Sequence, residues 1–186
     1  MKRIFDISLA LIALIFLIFP MIAISLIIFF TSGAPVIFWS KRIGKNNELF
    51  LMPKFRTMTN RTPNIATHLL KDPESYLTRS GRFLRKYSLD EIPQILTILK
   101  GEMSFVGPRP ALYNQDDLIK MRTKKNIHLL KPGITGWAQI NGRDSISLTK
   151  KVELDEEYLL NISTYFDLKI MALTILRVIG ASGVKH

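Results

Sequence analysis

Apolar and polar positions divide the chain into one long uncharged stretch followed by a run of short elements. From Ile7 to Ser40 there is no charged residue, and the most apolar part runs from Leu9 to Phe30. As a straight helix that part would reach about 33 Å, enough to cross a bilayer core. A cleaved signal peptide would have a shorter apolar core and a small-residue cleavage site. Asp6 also fits poorly in the basic start of such a peptide. The stretch therefore reads as a membrane segment over residues 1–40, with a water-side domain over 41–186.

Spanning and re-entrant forms of this segment differ in what they ask of its flanks. A spanning helix keeps its basic flank on the cytoplasmic side. Here Lys2 and Arg3 precede the segment, and Lys41, Arg42 and Lys45 follow it. Pro20, near the middle, removes one helical hydrogen bond and favours a kink. A segment that enters, breaks near Pro20 and returns satisfies both basic flanks. A kinked spanning helix is the alternative that the residues leave open.

Beyond the segment the periodicity changes. Pro35–Arg42 is rich in bulky and β-branched residues, Gly44-Lys45-Asn46-Asn47 is turn chemistry, and Leu49–Met58 returns, which predicts a small β-hairpin. Residues 60–72 read as a polar loop, and Arg79–Tyr87 as a short basic helix. Ser88-Leu89-Asp90-Glu91 fits a capping box, with Ile92, Ile95, Leu96 and Leu99 following at helical spacing up to Lys100-Gly101. Gly107-Pro108-Arg109-Pro110 is a stiff loop. Leu112–His128 reads as polar helix, and 131–144 as loop or short strands with three glycines. Thr149–Asn161 reads as an acidic amphipathic helix. Tyr165–Ile179 reads as an apolar helix for the core or the membrane interface. The fold class is α+β: a membrane helix, a small hairpin and several helices, some lying at the interface.

Composition narrows the chemistry. With no cysteine among 186 residues, disulfides, zinc–thiolate sites and thiol nucleophiles are excluded. The net charge of +11 is placed unevenly: residues 41–131 hold 18 Lys and Arg against 8 Asp and Glu, whereas 132–186 hold 6 of each. The basic excess lies just after the membrane segment and suits lipid headgroups, nucleic acid or phosphorylated substrates. His68, His128 and His186 lack metal-ligand spacing, and neither a Walker loop nor a G-x-G-x-x-G is present.

Asp90 and Glu91 fall in a helix's first turn, where unpaired amides and the dipole favour an ionised carboxylate. A carboxylate can attack phosphorus, while its neighbour holds a metal. Ordinary capping acids would look the same. Arg109, stiffened by its flanking prolines, suits bidentate phosphate binding. Lys54 and Arg56 alternate on a strand and so face one side. Arg79, Arg82, Arg85 and Lys86 stripe the helix before the dyad. Trp137, Gln139, Asn141 and Arg143 form an aromatic and polar cluster able to recognise a sugar or base, or simply to pin the loop. A membrane-tethered module for nucleic acid or anionic lipid is what charge alone would permit. It gives no reason for a Pro-Arg-Pro loop beside a carboxylate dyad, so no nucleic-acid partner is expected.

Taken together, these motifs resemble one family over nearly the whole chain. They are Lys2-Arg3-Ile4-Phe5-Asp6, Lys54-Phe55-Arg56-Thr57-Met58, Ser88 to Gln94, Leu99 to Pro110, and Lys131 to Arg143. The chain is similar to the bacterial sugar transferases, the monotopic phosphoglycosyl transferases. It matches their minimal catalytic core, and the later stretch Lys150–Asp155, with Asn161-Ile162-Ser163 and Asp167-Leu168-Lys169-Ile170, is similar to the small members that start protein-glycan assembly. The resemblance implies transfer of a sugar-1-phosphate from a UDP-sugar to polyprenyl (undecaprenyl) phosphate, with release of UMP. It implies Asp90 as nucleophile forming a phosphosugar-aspartate, Glu91 with Asp90 holding Mg²⁺, and Arg109 on a phosphate. Lys54, Arg56 and Arg85 are carried over as further substrate-phosphate residues. Asp167, Gln139, Asn141 and Arg143 are weaker substrate-site candidates. It also implies a re-entrant membrane helix at the cytoplasmic face of a bacterial inner membrane, with downstream glycosyltransferases as candidate partners. The family's break is often Ser-Pro, where this chain has Phe19-Pro20.

Overall fold

A computed structural model of the chain describes residues 2–63, 72–142 and 145–179. Most of the predicted 60–72 loop and all of Arg143 fall outside these.

Helix α1 (Lys2–Ser32) runs through Pro20 without ending there. Its packing is one-sided. Ala10, Ala13, Leu14 and Leu17 lie against Phe50, Met52, Ile95, Ile98 and Met103. Further along, Met21, Ile24 and Ile28 lie against Phe55, Leu84, Leu89 and Ile92. The other side is equally apolar but bare: Ile15, Phe16, Phe19 and Phe30 are each at least 70% exposed. A helix packed on a soluble domain presents a polar outer face, because apolar surface in water is costly. A helix uncharged from Ile7 to its end, largely uncovered by its own domain, calls for lipid on the uncovered side. The protein is membrane-associated.

Both ends of α1 are bonded into the domain. Lys2 pairs with Asp167 at 2.5 Å, and Arg3 donates to the carbonyls of Ile98 and Leu99. Asp6, 2% exposed, accepts from the Ser104 hydroxyl and the Phe105 amide. At the far end the Arg56 guanidinium donates to the carbonyls of Ser32 and Gly33. Those carbonyls lack helical partners, and a cation there also complements the helix dipole.

The predicted hairpin is present as β1 (Ile37–Ile43) and β2 (Leu49–Phe55), in antiparallel register from Ile37 opposite Phe55 to Ile43 opposite Leu49. Pro53 is tolerated because β2 is an edge strand. The basic helix follows as α2 (Arg79–Lys86), capped by the Thr78 side chain. The next segment departs from expectation. Leu89–Gln94 is a 3₁₀ turn, and only Ile95–Lys100 is α-helix (α3). Ser88 has φ 54° and makes no side-chain cap, so the predicted capping box does not form. Glu91 turns toward cations instead, an interaction stronger than reaching back to a cap amide.

Strand β3 (Ser104–Val106) leads into the Pro-Arg-Pro loop, and β4 (Ala111–Leu112) pairs with β1. The polar helix predicted from Leu112 therefore starts later, as α4 (Asp116–Lys124), because Leu112 is held extended opposite Arg42. The glycine-rich segment supplies β5 (Gly133–Thr135), parallel to β3, and the short α5 (Trp137–Ile140). Its glycines allow close approach. A Cβ on Gly133 would lie 2.1 Å from the Gly107 nitrogen, and one on Gly136 2.1 Å from the Gly107 oxygen. The acidic helix α6 (Leu148–Leu160) and the apolar α7 (Thr164–Ile179) form as expected. The class is α+β, as predicted.

Candidate active site

The carboxylate dyad sits where β2, the 3₁₀ turn and the Pro-Arg-Pro loop meet. Asp90 and Glu91 are 7% and 8% exposed. Burying two adjacent carboxylates is costly without cations beside them. Both cations reach the same Glu91 oxygen: Lys54 Nζ donates to Oε1 at 2.8 Å, and Arg109 Nη2 at 2.9 Å. Lys54 arrives from β2 and Arg109 from the loop, so three chain segments converge on Glu91.

Burial and the neighbouring charges compete at Asp90. Burial pushes the Asp90 carboxyl above its ordinary value; Lys54 pulls it back most, Glu91 adds to the rise, and Arg85 and Arg109 oppose it. The first-turn dipole expected to keep Asp90 ionised is thus outweighed by desolvation, since the turn is short and sunk in the domain. Lys54 is pushed below its ordinary value by burial, with Glu91 opposing. Arg85, on α2, donates from Nε to the Thr57 hydroxyl at 2.8 Å and adds positive potential at Asp90.

Other sequence candidates lie elsewhere. Arg56 does not share a face with Lys54. It follows the last residue of β2, and its guanidinium goes to Asn60 and the end of α1. Asp167 is 3% exposed and bonded to Lys2 and the Tyr158 hydroxyl. Gln139 donates to the Ile134 carbonyl and Asn141 to that of Trp137. The dyad thus gathers Lys54, Arg85 and Arg109, while Arg56, Asp167, Gln139 and Asn141 bond to the scaffold.

A family model described as bacterial sugar transferase matches residues 1–181. The chain belongs to the bacterial sugar transferases. The resemblance carried by its motifs is borne out over nearly its full length. An uncharacterized sugar transferase, EpsL, of Bacillus subtilis (strain 168) is 44% identical over 100% of this chain and 91% of its own length. The UDP-glucose:undecaprenyl-phosphate glucose-1-phosphate transferase of Escherichia coli (strain K12) is 36% identical over 95% of this chain. An Aeromonas hydrophila UDP-N-acetylgalactosamine-undecaprenyl-phosphate N-acetylgalactosaminephosphotransferase is 33% identical over 99% of it. This sugar transferase spans 40% and 45% of the length of those last two.

Among the described residues no group of three or more His, Cys, Asp or Glu side chains converges on one point. Mg²⁺ does not need one. It commonly takes one or two carboxylates, keeps several waters and completes its shell with substrate phosphates. Asp90 and Glu91 are donors of that type, and they fit Mg²⁺ when a diphosphate supplies the remaining oxygens.

Sequence reasoning passed over Arg122 and Asp155. Arg122 bonds to Asp155 and to the backbone carbonyl of Arg109. An arginine in a polar helix gives no sign of burial by itself. The signal was its pairing with an acid at an inward position of the later amphipathic helix.

Proposed function

We propose that the protein is a phosphoglycosyl transferase that moves a sugar-1-phosphate from a UDP-sugar to polyprenyl phosphate and releases UMP. The observation that carries this reading is the buried Asp90-Glu91 dyad, closed in by Lys54 and Arg109 at the domain's lipid-facing helix. Buried carboxylates surrounded by cations suit a reaction that brings a diphosphate to a carboxylate nucleophile.

Asp90 attacks the phosphorus that bears the sugar. The bond to the bridging oxygen breaks, and UMP leaves with its electron pair. The resulting phosphosugar-aspartate is attacked by an oxygen of polyprenyl phosphate, which frees the Asp90 carboxylate and yields the lipid-linked diphosphate sugar. Arg109, Lys54 and Arg85 offset charge on the phosphates. In the free protein Lys54 and Arg109 neutralise Glu91, and the incoming diphosphate competes for them. Mg²⁺, held by Glu91 and Asp90 with phosphate oxygens, would offset diphosphate charge and ease departure of UMP.

The acceptor is a membrane lipid, so the site must lie at a bilayer face. We assign the cytoplasmic face of a bacterial inner membrane, with α1 entering and leaving by that face. The bonding of Lys2, Arg3 and Arg56 to one domain supports this, because it places both ends of the helix on one body. The lipid-linked product is then a substrate for downstream glycosyltransferases. The relatives act on glucose and N-acetylgalactosamine nucleotides by name. A panel of UDP-sugars with undecaprenyl phosphate and Mg²⁺, assayed for UMP, tests the reading. At least one sugar should release UMP in an acceptor-dependent steady state. Absence of release across UDP-hexoses and their N-acetylated and deoxy forms would overturn it.

A further inference from the structure

The Pro108-Arg109-Pro110 loop poses a mechanical problem. Its prolines have no N–H, so the loop cannot be knitted into a sheet by its own donors. Its carbonyls are what can be held, and each of the three is. Pro108 accepts from the Gly133 amide at 3.0 Å. Pro110 accepts from Arg42 Nη1 at 3.1 Å. Arg109 itself accepts from Arg122 Nη1 at 2.7 Å.

The Arg122 contact differs from the others in how it is supported. Arg122 is 7% exposed on α4, and its Nε and Nη2 both donate to Asp155 Oδ2 on α6, at 3.0 and 2.6 Å. Asp155 is 2% exposed. A guanidinium bonded on two edges has little freedom, so the carbonyl it holds is fixed relative to two helices. Packing alone does not fix that side of the loop. A partly open pocket of about 30 Å³, with room for water, lies there among Arg109, Arg122, His128 and Pro132.

We infer that Arg122 and Asp155 are positioning residues for the phosphate-binding Arg109. They act through its backbone carbonyl and do not touch the substrate. This rests on the reading of Arg109 given above. The path is continuous: Asp155 orients Arg122, Arg122 sets the Arg109 main chain, and the Arg109 side chain reaches Glu91 at 2.9 Å. A displacement of about 1 Å at a catalytic group costs on the order of a hundredfold in rate. Lysine at 122 keeps the charge but cannot bridge an acid and a carbonyl with a rigid planar fork.

A double-mutant cycle on the full chain tests the assignment, using the UDP-sugar turned over fastest in the panel. Arg122→Lys and Asp155→Asn should each lower kcat/KM by about a hundredfold, and Arg109→Ala should lower it at least as much. Combined with Arg109→Ala, either should cost little more, because the group being positioned is already gone. Val152→Ala, a cavity in the core beneath the same helices, should instead add its full cost to Arg109→Ala. Asp155→Asn keeps an acceptor and covers the case in which Arg122→Lys fails to fold. Additive losses, or an unchanged kcat/KM in both single variants, would overturn the positioning role. An inert Arg109→Ala would instead sink the reading of Arg109 on which it rests.

Discussion

At the scale of single residues, the proposed reaction turns on the charge state of Asp90. Burial raises its carboxyl, and Lys54 is the strongest opposing influence. Folding therefore disfavours the ionised form: the stability cost sets in as pH rises past the ordinary value of 3.8 and is complete above the raised folded value. Attack on phosphorus needs that ionised form. Lys54→Met removes the main charge that favours it, so the acid limb of kcat/KM should move to higher pH, whatever the change in absolute rate. A limb that stays in place, or moves to lower pH, would show that Lys54 does not set the nucleophile's ionisation. Such features were partly legible in the sequence. Asp90, Glu91 and Arg109 stand out because prolines and a turn mark their surroundings. The burial that raises Asp90 does not, because it comes from β2 and α1 closing over the turn. Arg56 reads as the twin of Lys54 by strand alternation, but the strand ends at Phe55 and the alternation ends with it.

At the scale of elements, α1 decides how the domain meets the membrane. Its apolar pattern was fully legible, and so were the basic residues at both ends. Their destinations were not. Arg3 caps α3, the helix that continues from the dyad's turn, and Arg56 caps α1 itself. Asp6 reads in the sequence only as a residue that suits a signal peptide poorly, but it closes a buried contact with β3. Such long-range pairs leave no local periodicity to find. The capping box at Ser88 failed for a related reason, as Glu91 bonds to cations from distant segments. With both ends tied to one domain, α1 should expose both to the same compartment. The chain has no cysteine, so single cysteines introduced at Lys2 and at Lys41 can be labelled without background. Both should react with an impermeant maleimide in inverted inner-membrane vesicles and neither in right-side-out ones. Reaction from opposite sides would restore a spanning helix.

At the scale of the whole molecule, the proposed reaction makes the fold a frame that brings a carboxylate to a bilayer face. One side of α1 is left to lipid, its other side floors the hairpin and the dyad turn, and α4 and α6 brace the Pro-Arg-Pro loop from behind. The central claim is that Asp90 carries the sugar phosphate between donor and acceptor. Peptide mass mapping of the full chain, given its UDP-sugar and Mg²⁺ but no polyprenyl phosphate, tests this most directly. The peptide containing Asp90 should gain one sugar phosphate with a matching burst of UMP. Undecaprenyl phosphate should remove the adduct, and Asp90→Asn should never form it. Full turnover by Asp90→Asn, or UMP released only with acceptor present and no adduct at any time, would contradict the account.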